Sequence, residues 1–432
     1  MTLTEGLVTH IRRKPVGTDD LRAARFFVLD TLACAVGAAN TEPARMLRAV
    51  ARPETSDLPR TAFLIGGLAH ILEMDDLHRN SVTHPGSIVV PAALAVARDR
   101  DLRGHAFLRA VLAGYEAMTR IGNAVGKAHY RIWHNTSTCG PFGSAMAACD
   151  LLGLPDRQTV WALGNAGTQS SGLWEFLAEG AMSKHLHTAR AAESGVLAAL
   201  LAAEGFTGPA GILEGEKGFF AGLCSDPAPD SVLAEPDAPW ELTRTSIKPW
   251  PCCRHTHPAI DAALELHRRL DGRNVGAVSI STYRAAIDVC DRRQPRDPYS
   301  AKFSLQHCVA AALADGAVTQ TSFGDAGRAR HAPLAERVSL GVGDAFERSY
   351  PDAWGAEVSA TVVGGEKLVA QRRACKGDPE NPLAGPDLKA KARMLCEEAG
   401  FGGNQTGRFL DSIERLADDH PVKDIVLPGI DT

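Results

Sequence analysis

The feature that most constrains this chain is a change of period. Over roughly its first 250 residues the apolar side chains recur every three to four positions, and after Trp250-Pro251 they begin to alternate. Within residues 20–37, Leu21, Ala24, Val28, Leu32 and Cys34 suit a 3.6-residue repeat. Residues 88–99, 103–126, 140–152 and 188–204 read the same way, separated by short Gly, Pro or Asn breaks. Leu154-Pro155-Asp156 closes one helix and opens another, with Asp156 as N-cap. Strict alternation is almost absent before residue 270, so a packed helical domain is expected. Residues 275–283 and 337–342 then alternate as half-buried strands do. Residues 304–315 return to a helix, and 357–363 and 367–371 flank Gly364-Gly365 as a hairpin. A polar loop over 376–386 precedes renewed helical composition, which is expected to rejoin the first domain. The fold class is therefore mainly α. An all-helical domain over 1–247 and 384–432 carries an inserted, smaller α+β domain over 248–383.

A length of 432 residues exceeds what one core usually serves, which agrees with two domains. A net charge of −5 with no strongly basic segment gives no nucleic-acid footprint. The longest apolar runs, such as 196–203, are too short for a bilayer, and residues 1–16 lack a signal-peptide core. The ten cysteines form no CxxC pair and read as reduced thiols, which suggests a cytoplasmic setting.

Five segments could carry chemistry. Glu73, Asp75, Asp76, His78 and His84 lie within twelve residues. Pro85 and Gly86 put His84 on a loop, and carboxylates buried beside imidazoles shift pKa values toward neutrality. A solvated helix end is the plainer reading. His134 precedes Ser137 and Thr138, read as caps of a helix whose N-terminus could hold a carboxylate; a simple cap is the alternative. Lys184 and His187 stand at the entrance of a long Ala-rich helix. A cation there opposes the macrodipole, so anion binding would explain it better than a surface role. Cys252-Cys253-Arg254-His255-Thr256-His257 lacks structural zinc spacing and has no CxxC to complete a tetrahedron. No metal site is expected there, and Arg254 suits bidentate carboxylate recognition. His307 opens the clear helix of the α+β domain; alone it would be an ordinary packed histidine. GxGxxG, GxxxxGK[ST], GxSxG and HExxH are all absent.

Taken together and in order, these segments resemble the MmgE/PrpD family. The resemblance runs through FFVLDTLACAVGA (26–38), LGNAGTQSSGLWEFL (163–177), GFTGPAGILEGEKGF (205–219), KPWPCCRHTHPAIDA (248–262) and AKFSLQHCVAAAL (301–313). It implies a large helical domain built from both chain ends, an α+β lid, a homodimer, no metal or organic cofactor, and an active site between domain and lid. It also implies catalytic roles for Glu73, Asp75, Asp76, His84, His134 and Lys184 from the helical domain and for His257 and His307 from the lid. Substrate contacts fall to His78, Ser137, Thr138, Lys184, His187 and Arg254. Leu77 stands where the family often has threonine, and His307 where the decarboxylases have tyrosine. The expected function is proton transfer beside a carboxylate of a small polycarboxylic acid, with a dehydratase first. Epimerisation, isomerisation and decarboxylation are the alternatives, and a catalytically idle binding protein of the same fold is the reading from outside enzymology. No nucleic-acid or membrane partner is expected.

Overall fold

A computed structural model describes residues 1–51 and 57–431; Thr432, the last residue of the expected helical domain, lies outside them. The mainly α fold class holds, with a small four-stranded sheet in a separate α+β part. The chain divides into two compact units. One holds residues 1–71, 75–246 and 384–432, and the other holds 72–74 and 247–383.

The first unit is helix packed on helix. The helix Ser183–Ala203 lies against Leu58–His70 and Asn135–Leu151, and the latter also packs on Gly104–Ala124. These contacts are lined by small side chains such as Ala145, Ala148, Ala189 and Ala192, all fully buried. Small residues bring the axes close, so polar side chains projecting from facing helices meet in a dry interior. Near the other end of the sequence, Gly385–Glu398 packs against Thr18–Ala38, and buried Lys391 pairs with buried Asp30. Two antiparallel two-residue strands, Leu77–His78 and Thr245–Ser246, are the strand pair of this unit among the described residues.

Helix starts differ from expectation in three places. Asn135–Leu151 begins five residues before Gly140, because the His134 carbonyl already accepts from Ser137 N and Thr138 N, at 2.8 and 3.1 Å. Ser137 and Thr138 are therefore first-turn residues, with His134 at the N-cap. Ser183–Ala203 likewise begins before residue 188 and contains Lys184 in its first turn. Asp156 is the first helical residue after the N-cap Pro155, and it pairs with Arg12.

In the second unit the strands run in the order Val338–Val342, Val275–Thr282, Ala356–Val362, Lys367–Arg372. The first pair is parallel, with Val278 opposite Val338, and the others are antiparallel, with Ile280 opposite Val358. Alternation shows directly in the burial of Val278, Ile280 and Thr282. The helix His257–Leu270 covers the hairpin strands and packs on Leu305–Asp315. No helix among the described residues is long and apolar enough to cross a membrane.

Candidate active site

The acidic run is split between the units. Asp75 and Asp76 belong to the helical unit and Glu73 to the α+β unit, and all three are buried. Glu73 has φ 59° and Val82 has φ 50°. Left-handed backbone is costly for a β-branched residue such as Val82, so this loop is held under strain by its surroundings.

In the helical unit three imidazoles converge. His70 ends the helix Leu58–His70, His84 sits on the loop after it, and His134 caps Asn135–Leu151. One ring nitrogen from each lies within 4.8 Å of the others. His70 and His84 meet edge to face at 4.8 Å, while His70 and His134 stack at 6.0 Å. The Nδ1 atoms are committed elsewhere. His70 Nδ1 is 2.6 Å from Asp75 Oδ2, His84 Nδ1 is 2.6 Å from the Asp76 carbonyl, and His134 Nδ1 is 3.2 Å from His187 Nδ1. His70 Nε2 is buried with no hydrogen-bond partner among the described residues.

The local chain explains this placement. Asn135 Nδ2 donates to the Ser81 carbonyl at 2.8 Å, and His84 N donates to Thr136 Oγ1 at 3.1 Å, tying the loop to the helix start. His134 N donates to the Gly172 carbonyl at 2.9 Å, and the Trp174 ring lies 4.6 Å from that of His134. Gly172 has φ 118°, and a Cβ there would stand 2.5 Å from Ser137 Oγ, so only glycine fits. Asp76 accepts from Tyr115 Oη at 2.7 Å and from Gly86 N at 3.0 Å. Burial holds its carboxyl well above the usual range, with Asp75 and Asp30 adding to the effect.

His134 is pushed well below its ordinary pKa by burial, then by Lys184, His187, His70 and His84. His187 is pushed down to about 4 by burial, then by His70 and Lys184. Lys184, also buried, brings an ammonium to a place already crowded with imidazoles. Among the described residues, His70, His84 and His134 are spaced to hold a divalent cation, a group different from the Cys252–His257 segment weighed in the sequence. Lys184 acts on the same rings, lowering both His134 and His187. His187 also lines a cavity of about 590 Å3 with Ser137, Gly172, Phe176, Leu186 and Arg190. The cavity and the imidazole cluster therefore share that ring.

The other expected residues fall into place one by one. His78 spends both ring nitrogens on protein, with Ser81 Oγ at 2.8 Å and Glu241 Oε2 at 2.9 Å, so it braces the loop. Thr138 Oγ1 meets His129 Nε2 at 2.8 Å. In the α+β unit Arg254 is buried against Asp378, a carboxylate of its own chain, and lies over the Trp354 ring. His255 stacks on Trp354 at 4.4 Å, with Nδ1 2.7 Å from Tyr283 Oη. His257 Nε2 is 3.2 Å from the Cys252 carbonyl, and His307 Nε2 is 2.9 Å from that of Ser322. Glu73 receives the buried Lys248, whose Nζ donates to its carbonyl at 3.1 Å and lies 3.7 Å from Oε2.

Two residues escaped the sequence reading. His70 lies at the end of the apolar stretch 62–72, and its signal was a lone titratable residue inside an apolar run. Lys248 stood in the Pro-Trp-Pro segment but was passed over; a lysine beside apolar residues was the available sign.

Helices packed through small side chains around a buried group of imidazoles and one lysine characterise this unit. A sequence profile described as the MmgE/PrpD N-terminal domain matches residues 6–231, and one described as the MmgE/PrpD C-terminal domain matches 250–413; the chain belongs to the MmgE/PrpD family. It is 28% identical over 295 residues to the cis-aconitate decarboxylase-like protein oryM of Aspergillus oryzae, covering 62% of this chain and 61% of that protein. It is 29% identical over 281 residues to a cis-aconitate decarboxylase of Aspergillus terreus, covering 59% and 57%. With the Homo sapiens cis-aconitate decarboxylase it shares 26% identity over 424 residues, covering 91% and 87%. The matched region thus spans about six-tenths of the two fungal proteins and most of the human one.

Proposed function

We propose that the His70–His84–His134–Lys184 cluster is the active site of a lyase that moves a proton beside a carboxylate of a small polycarboxylic acid. The observation that carries this is His134, buried where Lys184, His187, His70 and His84 converge on it and push its pKa down. Lys184 holds a substrate carboxylate. His134, kept unprotonated by burial and its neighbours, takes the α-proton. Charge spreads onto the held carboxylate, where Lys184 stabilises it. In a dehydration the C–H and C–O bonds break, the C=C bond forms, the C–H proton passes to His134, and His84, entering as the imidazolium, gives its own proton to the departing hydroxide as water. His70, braced by Asp75, keeps the proton exchange ordered. Dehydration is the leading reading. Decarboxylation is the second, favoured by the names of the relatives, with CO2 leaving and His84 protonating the carbon.

On this reading no metal or organic cofactor takes part. The helical domain comprises 1–247 and 384–432, with 248–383 as the α+β domain, and the enzyme works as a homodimer in the cytoplasm. Ten free cysteines support a reducing compartment. NMR product analysis in deuterated water, over citrate-like and succinate-like acids, tests the proposal. Dehydration gives an alkene with all carbons retained, decarboxylation an acid one carbon shorter, and epimerisation deuterium uptake alone. An unchanged panel with measurable binding would overturn the enzyme reading in favour of an idle binding protein.

A further inference from the structure

The α+β unit has a second pocket, of about 240 Å3 and open to solvent beside the exposed Arg293, Arg296 and Glu336, that no step above uses. Its wall carries Arg293, Arg296, Arg328 and His307, and Glu336 is the one acid lining it. The volume falls below that of ordinary pockets for organic ligands and suits one small ion or one terminal group. Backbone carbonyls orient two of the guanidinium groups. Arg328 Nη1 donates to the Phe323 carbonyl at 2.8 Å and its Nη2 reaches Asp325 Oδ1 at 2.7 Å, while Arg293 Nη1 donates to the Glu336 carbonyl at 3.3 Å. Asp325 is almost wholly exposed, so water screens its charge. His307 is buried, with Nε2 on the Ser322 carbonyl and the His331 ring 5.4 Å away. His331 in turn meets Asp315 Oδ2 at 2.8 Å, and Arg330 also pairs with that carboxylate. The acid of this second layer is thus occupied, and the cavity wall keeps an excess of positive charge. Like charges on a concave wall focus potential and collect an anion.

We propose that this cavity binds an oxyanion, a carboxylate or phosphate group held by Arg296 and Arg328 beside His307. The planar guanidinium fork matches both groups. Two sources share this chemistry: a carboxylate of the enzyme's own substrate, or a free phosphate-type ion. His307 reports occupancy. Burial, and then His331 and Arg328, push its pKa down to about 4, and an anion beside it stabilises the imidazolium.

The test follows the His307 ring resonances of the full chain by NMR across pH, assigned with His307→Gln. Inorganic phosphate and citrate are the probes, and sodium chloride at matched ionic strength is the control. The expected result is a rise in the His307 pKa of at least ~1 unit with phosphate or citrate and not with chloride. Arg296→Gln with Arg328→Gln should abolish it; Arg296 is exposed, and Arg296→Gln alone, which spares the fold, should weaken it. If the substrate's carboxylate is the occupant, Arg296→Gln raises KM several-fold with kcat nearly unchanged. If a free ion is the occupant, phosphate shifts His307 while KM stays at the wild-type value. Equal His307 titrations in phosphate, citrate and chloride, unchanged by the arginine substitutions, would overturn the proposal.

Discussion

Two buried clusters, one in each unit, treat the same residue types in opposite ways. In the α+β unit, buried Arg254 has Asp378, buried Lys248 has Glu73, and His255 lies flat on Trp354. In the helical unit, burial and then Lys184, His187, His70 and His84 push His134 down, and burial and then His70 and Lys184 push His187 down. Burial alone therefore does not mark a site, since His255 is pushed down to about 3 by burial and then by Arg254. What separates His134 from His255 is company: several titratable groups converge on one and a stacked indole covers the other. Buried pairs satisfy their own unit, whereas converging groups of like sign are costly unless a ligand of opposite charge completes them.

The sharpest way to break this contrast is to treat the two histidines alike. His134→Gln should cut turnover by ~10³-fold with little change in Tm, because general bases contribute roughly 10²–10⁴-fold. His255→Gln should lower Tm and leave the activity of the folded fraction near wild type. Steady-state kinetics beside thermal melts measure both, and the reverse pattern would dissolve the distinction.

A second contrast concerns Arg254, read in the sequence as a carboxylate binder. Its substitution by Gln should cost about 3–5 kcal/mol of stability, because Asp378 is left buried without its cation. Chemical denaturation reads this. A stable Arg254→Gln variant with a raised KM would return Arg254 to the substrate.

Acid should act on both units in the same direction. His187 and His307 are held near 4 and His255 near 3, against about 6.5 in an unfolded chain. Between those values the unfolded chain binds protons that the folded rings refuse. Stability is therefore full above about pH 6.5 and falls as pH drops toward 4. Tm measured at half-unit steps should decline steadily over that window, and a flat profile would contradict the burial of these rings.

The smallest expected effect is none. Exhaustive chelation should leave turnover unchanged, since on the proposed reading no metal takes part. Stoichiometric zinc in the purified protein, with activity lost on its removal, would turn the cluster into a metal centre.

Much of the fold was legible because periodicity is local. The strand over 275–282, the hairpin around Gly364-Gly365 and the helix over 305–315 follow from side-chain alternation and spacing. Helix starts were less legible: His134 caps with its backbone, which no side-chain signal announces. At the site, His84, His134 and Lys184 stood out as polar residues beside breaks in pattern. His70 did not, because its partner Asp75 lies five residues on, around a strained turn, and its neighbours His84 and His134 come from other segments. Nor does sequence distinguish an arginine that awaits a carboxylate from one, like Arg254, that already holds Asp378.

The account rests most directly on Lys184. A cation in the first turn of Ser183–Ala203 opposes the helix dipole, and Lys184 is buried beside His134 and His187, whose pKa values it lowers. Steady-state kinetics of Lys184→Ala beside Lys184→Arg, on a polycarboxylate turned over in the NMR panel and with circular dichroism as the folding control, isolate its role. The prediction is a loss of at least ~10²-fold in turnover for Lys184→Ala at unchanged helicity, in line with the ~3–4 kcal/mol that charge stabilisation gives in a water-excluded site. Lys184→Arg should recover part of it. A Lys184→Ala variant with near-normal kcat and KM would contradict the account and remove the active site from this cluster.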